Sequence, residues 1–303
     1  MIALAETRQQ RIQALGFDPS TQPKEGYLPC NYCGADRWVI LTHQDRYGYP
    51  VQATACHECG LTMLNPRMTA EAYGAFYEST YRPLVSAYHG RLIDAKTIQD
   101  EQVPYAQAFI EFARPFITEA HQTLLDVGGS TGVVAREFMK SFDLQTTLID
   151  PAPAETAEAE SLGIESVTGF VEDWDAKGRM FDIIGLFQTI DHLLDVSKTL
   201  TKLRQVISDH GIFLVDIVDF RAAMLRNGSV EDAVKIDHVY SLTQETAEAM
   251  FARAGFRWVR KGYSADHLHV SYVCVPTDAA FTMPNPTWVT EYFREIRHIQ
   301  NSK

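Results

Sequence analysis

Leu124-Leu125-Asp126-Val127-Gly128-Gly129-Ser130-Thr131-Gly132 is the stretch on which the reading of this chain turns. A short apolar run delivers the backbone into a glycine-rich turn. Val134, Phe138 and Phe142 follow at the four-residue spacing of a helix packed on a sheet. The pattern predicts a strand, a tight turn and a helix start. Gly128 and Gly132 permit positive φ and leave no Cβ between main chain and ligand, while the helix N-terminus offers unpaired N–H groups. Taken alone, such a turn fits a ligand-free βα connection equally well.

The next segment favours a ligand. Thr146-Thr147-Leu148-Ile149-Asp150 reads as a second strand, and its carboxylate stands 18 residues after Gly132, near the roughly 20-residue offset at which a Rossmann-type unit grips a ribose. Asp126, just ahead of the first glycine, would repel a pyrophosphate, so a cationic ligand fits better than a dinucleotide. Asp-Val-Gly-Gly-Ser-Thr-Gly resembles the first motif of the class I S-adenosylmethionine-dependent methyltransferases, usually Asp/Glu-x-Gly-x-Gly-x-Gly, with Ser130 in place of the middle glycine. The resemblance implies that Asp126, Gly128, Gly129, Ser130 and Gly132 meet the amino-acid end of S-adenosylmethionine. Asp150 and Pro151 would meet its ribose, Phe170 and Val171 its adenine, and Gln188 its methionine part. Glu172 and Asp173, in the same loop, read as solvated acids.

Composition sets the bounds. The 303 residues are 46% hydrophobic and 22% charged, enough for one large core and a small second unit. A formal charge of −12, with no run of Lys and Arg, sets nucleic acid against the protein. No apolar stretch reaches the ~20 residues of a membrane span and the start reads as no targeting segment, so the expected location is cytoplasmic. Four of the five cysteines form two Cys-x-x-Cys pairs, Cys30/Cys33 and Cys56/Cys59, each followed by a glycine. With two strands between them, these describe a zinc ribbon holding one structural Zn²⁺ on four thiolates. A redox dithiol is the weaker alternative. His57 reads as an exposed spacer.

The span Pro29 to Arg82 resembles the zinc-ribbon leader of bacterial methyltransferases of sugar and cell-surface glycan biosynthesis. In those enzymes the leader folds over the active site, so Tyr81 and Arg82 are placed near cofactor or substrate, or else they simply end a helix. Between residues 84 and 118, Val85, Leu92, Ile98, Phe109, Phe112 and Phe116 are spaced for burial, with Pro104 and Pro115 interrupting or ending the helices. Strand and helix then alternate as a parallel sheet requires. After the fourth strand, Asp191-His192 resembles the family's acid-histidine pair near the transferable methyl, and it also suits a capping role. Residues 220 to 236 read as irregular, a covering insertion. Asp237-His238-Val239-Tyr240-Ser241 resembles the Glu/Asp-His-x-x-Tyr/Phe-Ser/Thr segment of sugar methyltransferases. It implies His238 as general base, oriented by Asp237 or another acid and assisted by Tyr240, with His192 as the other candidate.

The expected architecture is therefore α/β: a seven-stranded, doubly wound, Rossmann-like methyltransferase sheet with an N-terminal zinc ribbon and helical cap. Its parts are a lead-in (1–24), the ribbon (25–66), the cap (67–120), the methyltransferase domain (121–277) and an amphipathic C-terminal helix (278–303). That helix would dock on the domain or on a second subunit as a homodimer contact. The expected activity is methyl transfer from S-adenosylmethionine to a small molecule, an activated, nucleotide-linked sugar or glycan precursor. Two alternatives are weighed: an RNA or protein methyltransferase with the ribbon as polymer-binding module, and a non-enzymatic assembly subunit that binds the cofactor.

Overall fold

The computed structural model describes residues 6–93, 95–279 and 285–302; parts of the lead-in and of the C-terminal segment lie outside them. In chain order the elements are α1 (Arg8–Gln13), β1 (Trp38–Gln44), β2 (Pro50–Cys56), β3 (Thr62–Leu64), α2 (Ala70–Ser79), α3 (Tyr81–His89), α4 (Ala95–Ala113), β4 (Thr123–Val127), α5 (Val133–Phe142), β5 (Gln145–Asp150), α6 (Pro153–Ser161), β6 (Glu165–Thr168), β7 (Phe181–Leu186), α7 (Val196–Val206), β8 (Ile207–Val218), α8 (Phe220–Asn227), β9 (Tyr240–Ser241), α9 (Gln244–Arg253), β10 (Phe256–Tyr263), β11 (His269–Pro276) and α10 (Pro286–Asn301).

The main sheet has seven strands in the order β10-β11-β8-β7-β4-β5-β6. The five from β4 to β8 are parallel, with β11 antiparallel to β8 and β10 antiparallel to β11 at the edge. This is the expected doubly wound sheet. Its strand centres are apolar on both faces because helices cover both. Leu124, Ile183, Ile212 and Leu214 pack with Phe109 of α4 and Phe138 of α5 on one side. Leu125, Ile184, Phe213 and Val215 pack with Leu200 and Leu203 of α7 on the other. Each fully buried side chain of this size contributes roughly 1.5–3 kcal/mol.

The smaller sheet runs β1-β2-β3-β9, so the ribbon hairpin is completed by a strand from far along the chain, with Thr62 opposite Ser241 and Met63 opposite Tyr240. Helix α10 lies against this sheet. Tyr292, Ile296 and Ile299 are buried with Leu41, Ala53 and Leu64, and the Tyr292 hydroxyl meets Thr62 Oγ1 at 3.0 Å. The apolar stripe behind the expected subunit contact is thus occupied within the chain.

Three local expectations need correction. Helix α4 runs through Pro104, which breaks nothing; only Pro115 falls in a terminal turn. Leu84 and Ile93 take buried positions, while Leu92 is 73% exposed. The segment read as irregular contains α8, capped by Asp219, whose Oδ1 accepts from Arg221 N at 3.1 Å, and closed by Gly228 at φ 60°. Its buried face is only Phe220, Ala223 and Met224, too short a stripe to stand out among charged neighbours.

Candidate active site

Asp126, Asp150 and Gln188 stand at or just beyond the C-terminal ends of β4, β5 and β7, which are neighbours in the sheet. The Asp126 carboxylate is fully buried, and neither oxygen has a hydrogen-bond partner among the described residues. Burial, reinforced by the charge of Asp150, raises its pKa to about 7. Such a group calls for a cation or bound water to complete it. In the turn that follows, Gly128 and Gly132 have φ of 71° and 77°. A Cβ would strike Thr189 at 2.4 Å at the first and Ile164 at 2.7 Å at the second, so packing within the protein also requires these glycines.

Ser130, where the family pattern has glycine, sits at φ 50°. Strain of order 1 kcal/mol is offset by two bonds: its N–H donates to Asp150 Oδ2 at 3.0 Å, and its hydroxyl to Glu155 Oε2 at 2.8 Å. Asp150 also accepts from Ala152 N at 2.9 Å through Oδ1, and burial raises its pKa. Remaining lone pairs are free for a ribose. Pro151 is exposed beside it. Phe170 is 44% exposed above buried Val171, a ring with an uncovered face. Glu172 and Asp173 turn to α7, accepting from Thr199 Oγ1 at 2.5 Å and pairing with Lys198 at 3.3 Å. Gln188, exposed at φ 52°, donates its backbone N–H to Asp216 Oδ1 at 2.7 Å. An orphaned buried carboxylate, a second one at the neighbouring strand end and an open aromatic ring fit S-adenosylmethionine. Arg82 of α3 ion-pairs with the same Glu155 that holds Ser130, strapping the cap to this turn.

Beside these groups lies a second, enclosed set. The His192 and His238 rings meet edge to face with centroids 4.7 Å apart, and Tyr77 and Tyr81 pack against His192. The Tyr77 hydroxyl donates to the Asp237 carbonyl at 3.0 Å and also contacts His192 Nδ1 at 2.9 Å. A phenol has one proton and a carbonyl can only accept, so Nδ1 carries the imidazole proton and Nε2 presents its lone pair. Burial keeps His192 below the usual histidine pKa. His238 lies well below it through burial and the neighbouring Lys235, whose Nζ is 3.1 Å from Nε2.

This arrangement corrects the expected roles. Asp237 Oδ2 is 3.6 Å from His238 Nε2 and Asp191 Oδ2 is 3.9 Å from Nδ1, both beyond hydrogen-bond reach. Tyr240 faces away: its hydroxyl donates to the Leu194 carbonyl at 3.0 Å and accepts from Arg67 at 3.4 Å. His238 lies outside β9, with a bend at Val239 between them, so the two side chains do not share a strand face. Tyr77 and Lys235 were missed by the sequence reading. Their only signals are a hydroxyl on an apolar helix face and one lysine between Val234 and Ile236.

In the ribbon, Cys30 and Cys59 sulfurs are 3.5 Å apart, as are those of Cys33 and Cys56. All four lie within 4.8 Å of one another. A tetrahedral zinc with Zn–S near 2.3 Å needs sulfurs about 3.8 Å apart, so the set fits the ion. His57 is exposed, as a spacer should be. His192, Asp237 and His238 are also close enough to share a cation, but the Lys235 ammonium supplies positive charge there. The first knuckle is tied to the core: Asn31 Nδ2 donates to Asp195 Oδ1 at 2.7 Å, and Ser197 N donates to Asn31 Oδ1 at 3.0 Å.

Residues 99–261 match the family described as a methyltransferase domain, a span containing Asp126, Asp150, Phe170 and Gln188 but not the ribbon. No curated protein matches the sequence. Among solved structures, a candidate O-methyltransferase from Nostoc punctiforme is 17% identical, with 59% of this chain and 58% of that chain covered and a TM-score of 0.50. An S-adenosylmethionine-dependent methyltransferase from Clostridium acetobutylicum is 15% identical, covering 68% of this chain and 99% of that one at a TM-score of 0.48. At such identities the Nostoc likeness speaks to the fold alone.

Proposed function

The chain belongs to the methyltransferase-domain family, and from that premise we propose that it moves the methyl of S-adenosylmethionine to a small acceptor, an activated sugar or glycan precursor. The observation that carries this reading is the pair of part-buried imidazoles of His192 and His238, packed edge to face, with Tyr77 and Tyr81 against His192. A small polyol or keto-sugar suits such a closely packed setting better than a polymer. The ribbon offers a polymer little free surface, because α10 covers one part of it and α7 another. A separate groove of about 770 Å³ between ribbon and α7 carries Arg67, Lys198, Lys202 and Arg253, cations of the kind a diphosphate takes.

When bound, S-adenosylmethionine supplies a sulfonium methyl open to in-line displacement. Asp126 would face its cationic end, Asp150 its ribose and Phe170 its adenine, with Gly128, Gly129, Ser130, Gly132, Pro151, Val171 and Gln188 around it. On the acceptor side, His192 Nε2 takes the proton of the reacting group, and Tyr77 fixes the ring for that task. Lys235 and His238 hold the acceptor oxygen. The zinc held by the four cysteines is structural, and cysteines kept for a metal rather than a disulfide suit a reducing, cytoplasmic setting.

The test is mass spectrometry of products after incubation with methyl-labelled cofactor and a panel of nucleotide sugars. A labelled sugar nucleotide is the expected result. Label appearing only in added RNA or protein overturns the acceptor assignment.

A further inference from the structure

The turn between β1 and β2 is pinned to the segment that carries Lys235. Arg46 N donates to the Val234 carbonyl at 3.0 Å and Ile236 N donates to Asp45 Oδ2 at 2.9 Å, so bonds on both sides of Lys235 bring it beside Arg46. The Arg46 guanidinium lies over the Tyr88 ring of α3, 4.1 Å from its centroid, and Arg8 lies 4.2 Å from the same ring. Tyr47 meets Tyr88 edge to face at 5.3 Å. This stacking fixes the guanidinium but leaves its N–H groups unfilled: Nε is buried without a hydrogen-bond partner. Neither Arg46 nor Lys235 has an ion-pair partner among the described residues.

The nearby acids are engaged elsewhere. Asp45 accepts from Tyr47 N, Tyr49 N and Ile236 N, Asp191 accepts from Val218 N, and Asp237 Oδ2 stands 3.6 Å from His238. Burial lowers the Lys235 pKa, Asp237 opposes this and Arg46 adds to it. Two adjacent cations, partly withdrawn from water and unpaired, are costly until an anion meets them. The donors also select the anion. A guanidinium fork takes two oxygens in one plane, and an ammonium takes a third as a point charge. A carboxylate has two oxygens, whereas a phosphate ester offers three.

We propose that Arg46 and Lys235 form the subsite for a phosphate group carried by the acceptor. The assignment rests on the methyl-transfer reading and deepens it: an oxygen held by Lys235 belongs to a phosphate, and the ribbon hairpin supplies a binding side chain of its own. The reach to the imidazoles is short, with Lys235 Nζ 3.1 Å from His238 Nε2 and the His238 ring centroid 4.7 Å from that of His192.

Calorimetry on the full-length protein, with inorganic phosphate and pyrophosphate as probes, tests this in the presence of S-adenosylhomocysteine. Arg46→Gln and Lys235→Met should each weaken the better probe about tenfold or more. Arg46→Lys, which keeps the charge and loses the fork, should fall between parent and Arg46→Gln. A preference for pyrophosphate marks a diphosphate ester and the reverse a monoester. Lys202→Met with Arg253→Gln, in the groove beside α7, should change nothing. Affinity unchanged in Arg46→Gln and Lys235→Met overturns the subsite, as does a loss confined to the groove variant or a parent protein that binds neither probe. Unchanged S-adenosylhomocysteine affinity shows that a variant is folded, and Lys235→Met carries the test if Arg46→Gln is not. A parent that takes the probes but no S-adenosylhomocysteine would fail the cofactor reading and leave the phosphate site standing.

Discussion

The residues proposed to face the cofactor, Asp126, Asp150, Phe170 and Gln188, follow one another along consecutive βα units. Those proposed to face the acceptor come from α2, from the turn after β7 and from the 235–238 segment before β9. The first set is held by main-sheet ladders that a methyltransferase domain forms by itself. The second depends on contacts between remote segments: β9 pairs with β3 of the ribbon, and Asn31 of the first cysteine knuckle is bonded to the start of α7. Cofactor binding and acceptor alignment should therefore be separable, and the ribbon's metal should matter to the second.

The largest effect should come from Cys33→Ser. It should release the metal and abolish turnover, because β3 then no longer templates β9, while S-adenosylhomocysteine binding stays within a few-fold. Parallel loss of both in metal analysis and calorimetry would show that the two halves form one unit.

Next in size, His192→Asn should retain cofactor binding and lose 10²–10⁴ in turnover, with a smaller loss for His238→Asn, whose Nε2 is already engaged by Lys235. Steady-state rates at saturating acceptor measure this, and the reverse order would return the base to His238. On the other side of the comparison, Asp150→Ala should weaken S-adenosylhomocysteine about 10- to 100-fold through loss of a charged acceptor. An unchanged dissociation constant would remove Asp150 from the site.

The smallest effect is a difference in pH response. The Asp126 pKa is raised to about 7 in the ligand-free protein, and its charged form is the one that attracts a cation. Affinity should therefore fall about tenfold as pH drops from about 8 to 6, more for S-adenosylhomocysteine than for 5′-methylthioadenosine. Burial holds His192 and His238 below the usual histidine pKa, which favours their neutral forms. Turnover at saturating cofactor and acceptor should stay nearly flat. Calorimetry and rates across this interval, repeated with Asp126→Asn, would expose any failure of the contrast.

The sequence alone determined what is local. Asp126 to Gly132, Asp150 and Gln188 are legible because a strand, a turn and a helix start impose their own periods over some twenty residues, and the family pattern adds their chemistry. The cysteine pairs are legible because two knuckles at matched spacing have few other uses. Only the tertiary structure decided the rest. Tyr77, Lys235 and Asp216 look like ordinary members of their elements until remote segments meet, and Tyr240 parts from His238 because the bend at Val239 and the β3 ladder dictate where it faces. Hydrogen-bond partners that lie over a hundred residues apart, as Tyr77 does from His192 and Asp237, leave no period for the chain to display.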